Sequence, residues 1–248
     1  MRQLIAVGRL LRLVLHVLRG LFIVQCHFGR LDAAGRQRHI KAWSAQLLRV
    51  LGIELQVRGT AVAGPRLLVA NHVSWLDISA VHALIPEARF VSKADIKTWP
   101  LIGKLVDGAG TLYIERSSKR DALRVVHQTA EALSAGDTVA FFPEGTTGPG
   151  PTLLPFHGNL LQAAIKTQTP VQPVVLRFHQ PGQRFSPAAE FIGDMTLVQS
   201  LWRILCAGGL GVELRLLESV PTTPASNRRA LAEALRAQIA SALIAPAS

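Results

Sequence analysis

A histidine and an aspartate stand five positions apart in residues 71–77, which read NHVSWLD. On a continuous helix two such residues point about 140° apart, so His72 and Asp77 can meet only across a turn. A short apolar run, residues 67–70, precedes the motif and an apolar-periodic segment, residues 78–85, follows it, which places it at a strand-to-helix junction. There the Asp77 carboxylate can hold one ring nitrogen of His72 and leave the other as a general base.

The same residues also have a purely structural interpretation. Ser74 is a good N-cap, which makes Asp77 the third residue of the following helix, and Ser-x-x-Asp is a form of the helix-capping signature. In that case Asp77 only accepts backbone amides, and His72 is a polar residue of the turn. The motif alone leaves both interpretations open, so other segments have to decide between them.

Two further segments place polar groups directly after an apolar strand. The segment GTLYIER ends in Arg116, which can grip a phosphate through two hydrogen bonds, although an exposed arginine is more often a solvated surface charge. The segment FFPEGTTG carries Glu144 just after a strand-breaking proline. The amides of Gly145 and Thr146 can then face a phosphate or a developing oxyanion, and the alternative is a tight turn with a solvated carboxylate.

The elements that must position these turns alternate along the chain. From residue 53 onward, short β-rich runs alternate with helical patterns, which predicts an α/β fold with a mixed, largely parallel sheet flanked by helices. The predicted strands are residues 53–58, 66–70, 89–92, 111–114, 138–142, 171–178 and 212–217. The predicted helices of this part are residues 74–85, 120–134, 157–166, 196–206 and 227–243.

The first 51 residues are predicted to form an amphipathic, membrane-binding helical hairpin, and residues 52–248 an α/β domain. Arginines interrupt the apolar run of residues 1–30 before it reaches the roughly 20 apolar residues of a spanning helix. The basic residues fall within an arc of about 100° on a helical wheel, which is typical of a helix with its basic side toward anionic headgroups. Packing on the protein's own core is the alternative. These residues are Arg2, Arg9, Arg12, His16, Arg19, His27 and Arg30.

The amino-acid composition limits the kinds of binding partner that are expected. The 248 residues carry 27 Lys and Arg against 16 Asp and Glu, a net charge of +11, which favours lipid headgroups, phosphorylated substrates or nucleic acid as partners. Only 6% of the residues are aromatic and no nucleic-acid-binding motif is present, so no nucleic-acid partner is predicted. Cys26 and Cys206 lie far apart without a metal-binding pattern, which indicates inert thiols, a reducing compartment and no metal site.

Four segments occur in the order NHVSWLD, GTLYIER, FFPEGTTG and VQPV, the last at residues 171–174. In this order they resemble the four sequence blocks of the glycerolipid acyltransferases, specifically the 1-acylglycerol-3-phosphate acyltransferase family. The segment from Ser92 to Gly103 is similar to another recurring segment of that family. The resemblance covers about residues 55–175, and four ordered blocks argue against a chance similarity.

The resemblance implies transfer of a fatty acyl group from a thioester, acyl-CoA or acyl carrier protein, to the free hydroxyl of a lysolipid. The expected acceptor is 1-acylglycerol-3-phosphate, which would give phosphatidic acid. His72 is then the base and Asp77 orients it. The residues expected to bind substrate are Arg116, Glu144, Gly145, Thr146 and Lys93. No cofactor beyond the acyl thioester is expected, and the expected location is the cytoplasmic face of the inner membrane, as a peripheral or monotopic protein.

Departures from the family pattern leave the acceptor headgroup open. Many family members carry Arg and Ser where this chain has Thr147 and Gly148, and a Lys is frequent where it has His157. Another lysolipid, such as a lyso-ornithine lipid, is therefore the second candidate acceptor. A hydrolase with Ser74 or a threonine as nucleophile is a weaker alternative, since no Gly-x-Ser-x-Gly motif is present. A lipid-binding protein without catalysis would leave the ordered blocks unexplained.

Overall fold

The computed structural model describes residues 2–114 and 119–245. The helices are α1 Arg2–Cys26, α2 Ala33–Leu51, α3 Leu76–His82, α4 Ile102–Gly108, α5 Lys119–Ser134, α6 Leu161–Thr167, α7 Leu197–Cys206 and α8 Arg228–Ile244. The strands are β1 Glu54–Arg58, β2 Arg66–Ala70, β3 Arg89–Lys93, β4 Leu112–Ile114, β5 Thr138–Phe141, β6 Val171–His179 and β7 Gly211–Leu216. Short 3₁₀ helices lie at Phe28–Arg30 and Ala94–Thr98.

The strands of the described residues form one sheet in the order β1-β7-β6-β2-β5-β3-β4. Strands β2 to β6 run parallel to one another, whereas β7 pairs antiparallel with β6 and parallel with β1. The predicted mixed, largely parallel sheet is therefore confirmed. Because β2 and β5 are neighbouring parallel strands, the segments that follow them emerge side by side at the carboxyl edge of the sheet.

Helices cover both faces of this sheet, as the nearly continuous apolar strands require. Along β6, Leu176 faces a core that includes side chains of α1, α2, α3 and α7. Its neighbour Val175 points the other way, into a core with α5, α6 and α8. Among the described helices, none combines the length and the apolar content needed to cross a bilayer.

Helices α1 and α2 form the predicted hairpin. Asp32 caps α2, since its carboxylate accepts the backbone amide of Gly35 at 2.7 Å. Where the helices meet, the ring of His16 stacks on the indole of Trp43 with 4.9 Å between centroids. Gly20 permits this approach, because an added Cβ would lie 2.3 Å from Trp43 Nε1. The hairpin shares a core with the sheet, and the division into two domains stays a prediction.

The basic side that the sequence predicted for α1 points outward only in part. His16 is buried, and burial lowers the pKa of its imidazole, which keeps it neutral at pH 7. Arg9 also turns inward and donates to two backbone oxygens at the end of α7, each at 3.1 Å. The alternative, packing on the protein's own core, therefore holds for the part of this side that carries Arg9 and His16, next to the buried Ala6 and Leu13.

The exposed side of α1 is apolar. Its large side chains are between 47% and 79% exposed, although Arg12 and Arg19 beside them are exposed as well. A helical wheel separates the two sides correctly, but neighbouring elements decide which side is covered. The exposed apolar side chains are Leu4, Ile5, Val7, Leu11, Val14, Leu15, Leu18 and Phe22, here called the α1 stripe.

Candidate active site

Residues 71–77, here called the histidine turn, begin where β2 leaves the sheet. Asn71 is buried, and its side-chain amide donates to the backbone oxygen of Leu176 at 2.9 Å. Its side-chain oxygen accepts the Leu176 amide at 2.8 Å. The side chain thus continues the pairing of β2 with β6 while the backbone turns away. This places His72 at the carboxyl edge of a central strand. The sequence pattern did not predict this role of Asn71.

His72 and Asp77 meet as their spacing predicts. His72 Nδ1 lies 2.8 Å from Asp77 Oδ2, across a turn that leads into α3. The same oxygen accepts the backbone amides of Val73 at 2.7 Å and of Ser74 at 3.0 Å. Asp77 is completely buried, so these three donors fix its orientation. One carboxylate therefore both closes the turn and holds the imidazole.

Ser74 does not cap α3, contrary to the prediction. Its Oγ has no hydrogen-bond partner among the described residues, and Trp75 occupies the N-cap position without a side-chain capping bond to the helix. Ser74 is also 0% exposed. A buried hydroxyl is out of reach of a substrate, which argues against the hydrolase alternative that used Ser74 as nucleophile.

An aromatic stack supports the His72 ring. The ring lies nearly parallel on Phe142, with 3.9 Å between centroids, and Phe142 stacks in turn on Phe90 at 5.4 Å. The His72 side chain is 17% exposed. Since Nδ1 is bonded to Asp77, and none of the described residues is hydrogen-bonded to Nε2, the second nitrogen is left to accept a proton from a substrate.

The carboxylate of Glu144 joins the loop after β5 to the histidine turn. Its Oε1 accepts the backbone amide of His72 at 2.7 Å, and its Oε2 accepts that of Leu154 at 2.8 Å. Burial raises the pKa of Glu144, and the two amide hydrogen bonds oppose this only in part. Glu144 thus positions the backbone of the histidine turn. This contact was not predicted, because Glu144 and His72 lie 72 positions apart in the sequence. Its contact with an acceptor phosphate stays a prediction.

Gly145 closes a tight turn next to Glu144. It has a φ of +73°, a value that favours glycine, and its amide donates to the backbone oxygen of Phe142 at 3.1 Å. The amide therefore forms a hydrogen bond within the turn, and the contact of Gly145 with a phosphate or an oxyanion stays a prediction. Thr146 is exposed beside this turn, and its substrate contact stays a prediction.

A segment between β6 and α7 crosses both turns, and residues 186–193 are here called the strap. The Phe191 amide donates to the backbone oxygen of Val73 at 3.0 Å, and the Phe191 oxygen accepts the hydroxyl of Thr147. The Glu190 carboxylate accepts the amide of Gly150 at 3.0 Å. The strap thereby fastens the histidine turn to the loop after β5. No sequence motif marks the strap, because any residue type can supply the backbone atoms that it contacts.

One of the two predicted cations, Lys93, lies on a neighbouring strand, and the other, Arg116, is not described. Lys93 is the last residue of β3 and is exposed. Arg116 lies outside the described residues, two positions after Ile114, the last residue of β4. Because β3 and β4 run parallel to β5, both strands end toward the edge that carries the histidine turn. Contact of either cation with a substrate stays a prediction.

An imidazole oriented by a buried carboxylate, at the carboxyl edge of a parallel sheet, is the arrangement of a general-base enzyme of the α/β class. The acyltransferase family model matches residues 49–177. The chain is 42% identical over 187 residues to the lyso-ornithine lipid O-acyltransferase of Pseudomonas aeruginosa, covering 75% of this chain and 71% of that protein. It is 36% identical over 207 residues to the 1-acyl-sn-glycerol-3-phosphate acyltransferase of Neisseria gonorrhoeae, covering 82% and 80%.

A solved structure has the same fold. The 1-acyl-sn-glycerophosphate acyltransferase PlsC from Thermotoga maritima superimposes with a TM-score of 0.65 at 20% identity, over 97% of this chain and 100% of that one. The chain therefore belongs to the acyltransferase family and is an O-acyltransferase, as its sequence blocks indicated.

Proposed function

We propose that this O-acyltransferase moves a fatty acyl group from an acyl thioester, on coenzyme A or acyl carrier protein, to the free hydroxyl of a lysolipid. The observation that carries the proposal is the His72–Asp77 pair, whose 2.8 Å contact leaves Nε2 as the base. Nε2 removes the hydroxyl proton while the oxygen attacks the thioester carbonyl carbon. When the tetrahedral intermediate collapses, the carbon–sulfur bond breaks and the proton passes from the imidazolium to the leaving thiolate. Such base catalysis contributes about 10²–10⁴-fold to the rate.

The first candidate acceptor is 1-acylglycerol-3-phosphate. The relative from Neisseria gonorrhoeae bears this substrate in its name. Lys93 ends β3, and Arg116 comes two positions after the end of β4 in the sequence; both strands end toward the edge of the histidine turn. Lysine and arginine bind a phosphate monoester by charge-assisted hydrogen bonds. Acylation of this acceptor yields phosphatidic acid, a precursor in phospholipid biosynthesis.

The second candidate acceptor is a lyso-ornithine lipid. The 42% identical relative from Pseudomonas aeruginosa is named for it. The loop after β5 also favours a headgroup without phosphate, because Thr147 and Gly148 stand where many family members carry Arg and Ser. The Thr147 hydroxyl donates to the backbone oxygen of Phe191, so it does not take over phosphate binding from the arginine that many family members carry at this position.

A substrate panel separates the two acceptors. Purified protein is given labelled acyl-CoA or acyl carrier protein with each lysolipid, and the esters are identified by mass spectrometry. The proposal expects free thiol only when an acceptor is present, and equal thiol release without acceptor would establish a hydrolase instead. Arg116→Ala is expected to raise KM for the phosphate-bearing acceptor and to leave the KM of the acyl donor unchanged. With a phosphate-free acceptor its effect should shrink.

The same proposal includes binding to the cytoplasmic face of the inner membrane, so that the acceptor reaches His72 from the bilayer. Half of the exposed large apolar side chains of the described residues lie on the α1 stripe. Soluble monomers rarely expose so much contiguous apolar surface. A helix of this kind lies in the headgroup boundary with its apolar side inward.

Serine substitutions in the α1 stripe test the membrane assignment. Replacing Leu11, Leu15 and Leu18 together should weaken binding to anionic vesicles by more than about tenfold, because three side chains lose their lipid contact. Ile244→Ser on α8 is the matched control, since Ile244 is 67% exposed but belongs to the helix layer on the other face of the sheet. Equal vesicle binding by the triple variant and the wild type would refute a membrane role of the α1 stripe.

A further inference from the structure

Helix α7 exposes two apolar side chains on one side. Val198 is 75% exposed and Trp202 is 44% exposed. They are four positions apart, so they lie one turn apart on the same side of the helix. An exposed indole next to an aliphatic side chain suits the boundary between headgroups and acyl chains, where tryptophan has an apolar body and a polar N–H.

Helix α7 is attached directly to α1. The Arg9 guanidinium of α1 donates to the backbone oxygens of Leu205 and Ala207, each at 3.1 Å. The two helices therefore pack against each other in the layer that covers this face of the sheet. Val198 and Trp202 are therefore exposed on the same helix layer as the α1 stripe.

Helix α7 is also attached to the histidine turn. The indole nitrogen of Trp75 donates to the hydroxyl of Ser200 at 3.1 Å, and Ser200 is completely buried. A second connection runs through the strap, because Arg203 donates to the backbone oxygen of Pro187 at 2.6 Å. The position of α7 at a lipid surface therefore also sets the position of the histidine turn above that surface.

We propose that α7 is a second membrane-contacting helix, which places Val198 and Trp202 in the headgroup boundary of a phospholipid bilayer beside the α1 stripe. The inference rests on the membrane binding proposed above and adds a contact outside the region that the family model matches, residues 49–177. The acyl chain of a lysolipid can then stay in the bilayer while its headgroup rises along α7 toward His72.

Vesicle binding by serine variants tests the contact. In the full chain, Val198→Ser with Trp202→Ser should bind vesicles of phosphatidylglycerol and phosphatidylethanolamine roughly tenfold more weakly than the wild type. Activity toward a short-chain, soluble acceptor should be unchanged. Ile244→Ser, on the other face of the sheet, should bind as the wild type does. Wild-type binding by the α7 variant would overturn the proposal.

Fluorescence quenching gives a second, independent measurement. The chain has 4 tryptophans, and brominated lipids quench only those that touch the acyl region. Trp202→Phe should lose a large share of the quenching seen in the wild type, and unchanged quenching would also overturn the proposal. The outcomes remain distinguishable, because the proposed function fails only if no lysolipid is acylated, and the α1 assignment fails only if its triple serine variant binds normally.

Discussion

The Asp77 carboxylate serves two purposes through one oxygen, and a single substitution separates them. In Asp77→Asn the side-chain oxygen can still accept the amides of Val73 and Ser74, but the charge that stabilises the imidazolium is lost. We expect kcat to fall about 10²–10⁴-fold with little change in the melting temperature. His72→Ala provides the floor of activity for comparison. Wild-type kcat in Asp77→Asn would mean that the aspartate only closes the turn.

Glu144→Gln is expected to destabilise the fold. The glutamine keeps one acceptor oxygen, so either the His72 or the Leu154 amide faces an NH₂ group, at a cost of about 1–3 kcal/mol. Removing a buried charge opposes this, but the two lost or weakened acceptors outweigh it. Urea unfolding at neutral pH measures the difference, and a variant as stable as the wild type would contradict the positioning role.

The raised pKa of Glu144 also predicts how its contribution to the free energy of unfolding changes with pH. The folded state holds a proton on this carboxyl at pH values where the unfolded chain has already lost it. Between the ordinary glutamate pKa and the raised folded value, this group makes the free energy of unfolding fall as pH rises. The slope should be smaller in Glu144→Gln over the same window.

At the residue scale, local chemistry was predictable and long-range contacts were not. Five positions fix the His72–Asp77 pair, because the chain has few ways to turn between a strand and a helix. The partners of Glu144 and Thr147 are backbone atoms of distant segments. Any residue type supplies such atoms, so no sequence pattern marks them.

Among the elements, the crossing of α1 and α2 gives a prediction with a matched control. Gly20→Ala places a Cβ against the indole of Trp43 and should lower the free energy of unfolding by about 1–3 kcal/mol. Gly8→Ala, in the same helix, meets no heavy atom within 4 Å and should raise stability by up to about 1 kcal/mol through helix propensity. Thermal unfolding of both variants checks it. Shifts of the same sign would contradict the close crossing.

The strands were predicted to within one residue at each end. Buried strands are short apolar runs bounded by turn residues, which makes them easy to delimit. The short helix α4 was missed, because its seven residues include Gly103 and Gly108 and show little apolar periodicity. Helix α3 begins later than predicted because Ser74 points its hydroxyl inward and does not cap it.

For the whole molecule, the inward position of Arg9 and His16 on α1 lowers the salt dependence that we expect for membrane binding. Among the basic side chains of α1 whose exposure the structure describes, Arg12 and Arg19 are the exposed ones, and each cation near an anionic surface contributes about 1 kcal/mol. Raising the salt from about 0.1 M to about 1 M should therefore weaken vesicle binding by about 30-fold or less. Arg12→Gln with Arg19→Gln should remove most of this dependence. A loss above about 1000-fold would instead require the outward basic side that the sequence predicted.

The contact between α1 and α7 also sets an order of events during synthesis. Arg9 and its partner Leu205 are 196 positions apart. A ribosome adds about 5–20 residues per second, so α1 waits on the order of 10–40 s before α7 exists. During that interval the part of α1 that α7 will later cover lacks this protein neighbour, and the α1 stripe is exposed as well. The nascent chain therefore needs a temporary host, a bilayer or a chaperone, well before the sheet is complete.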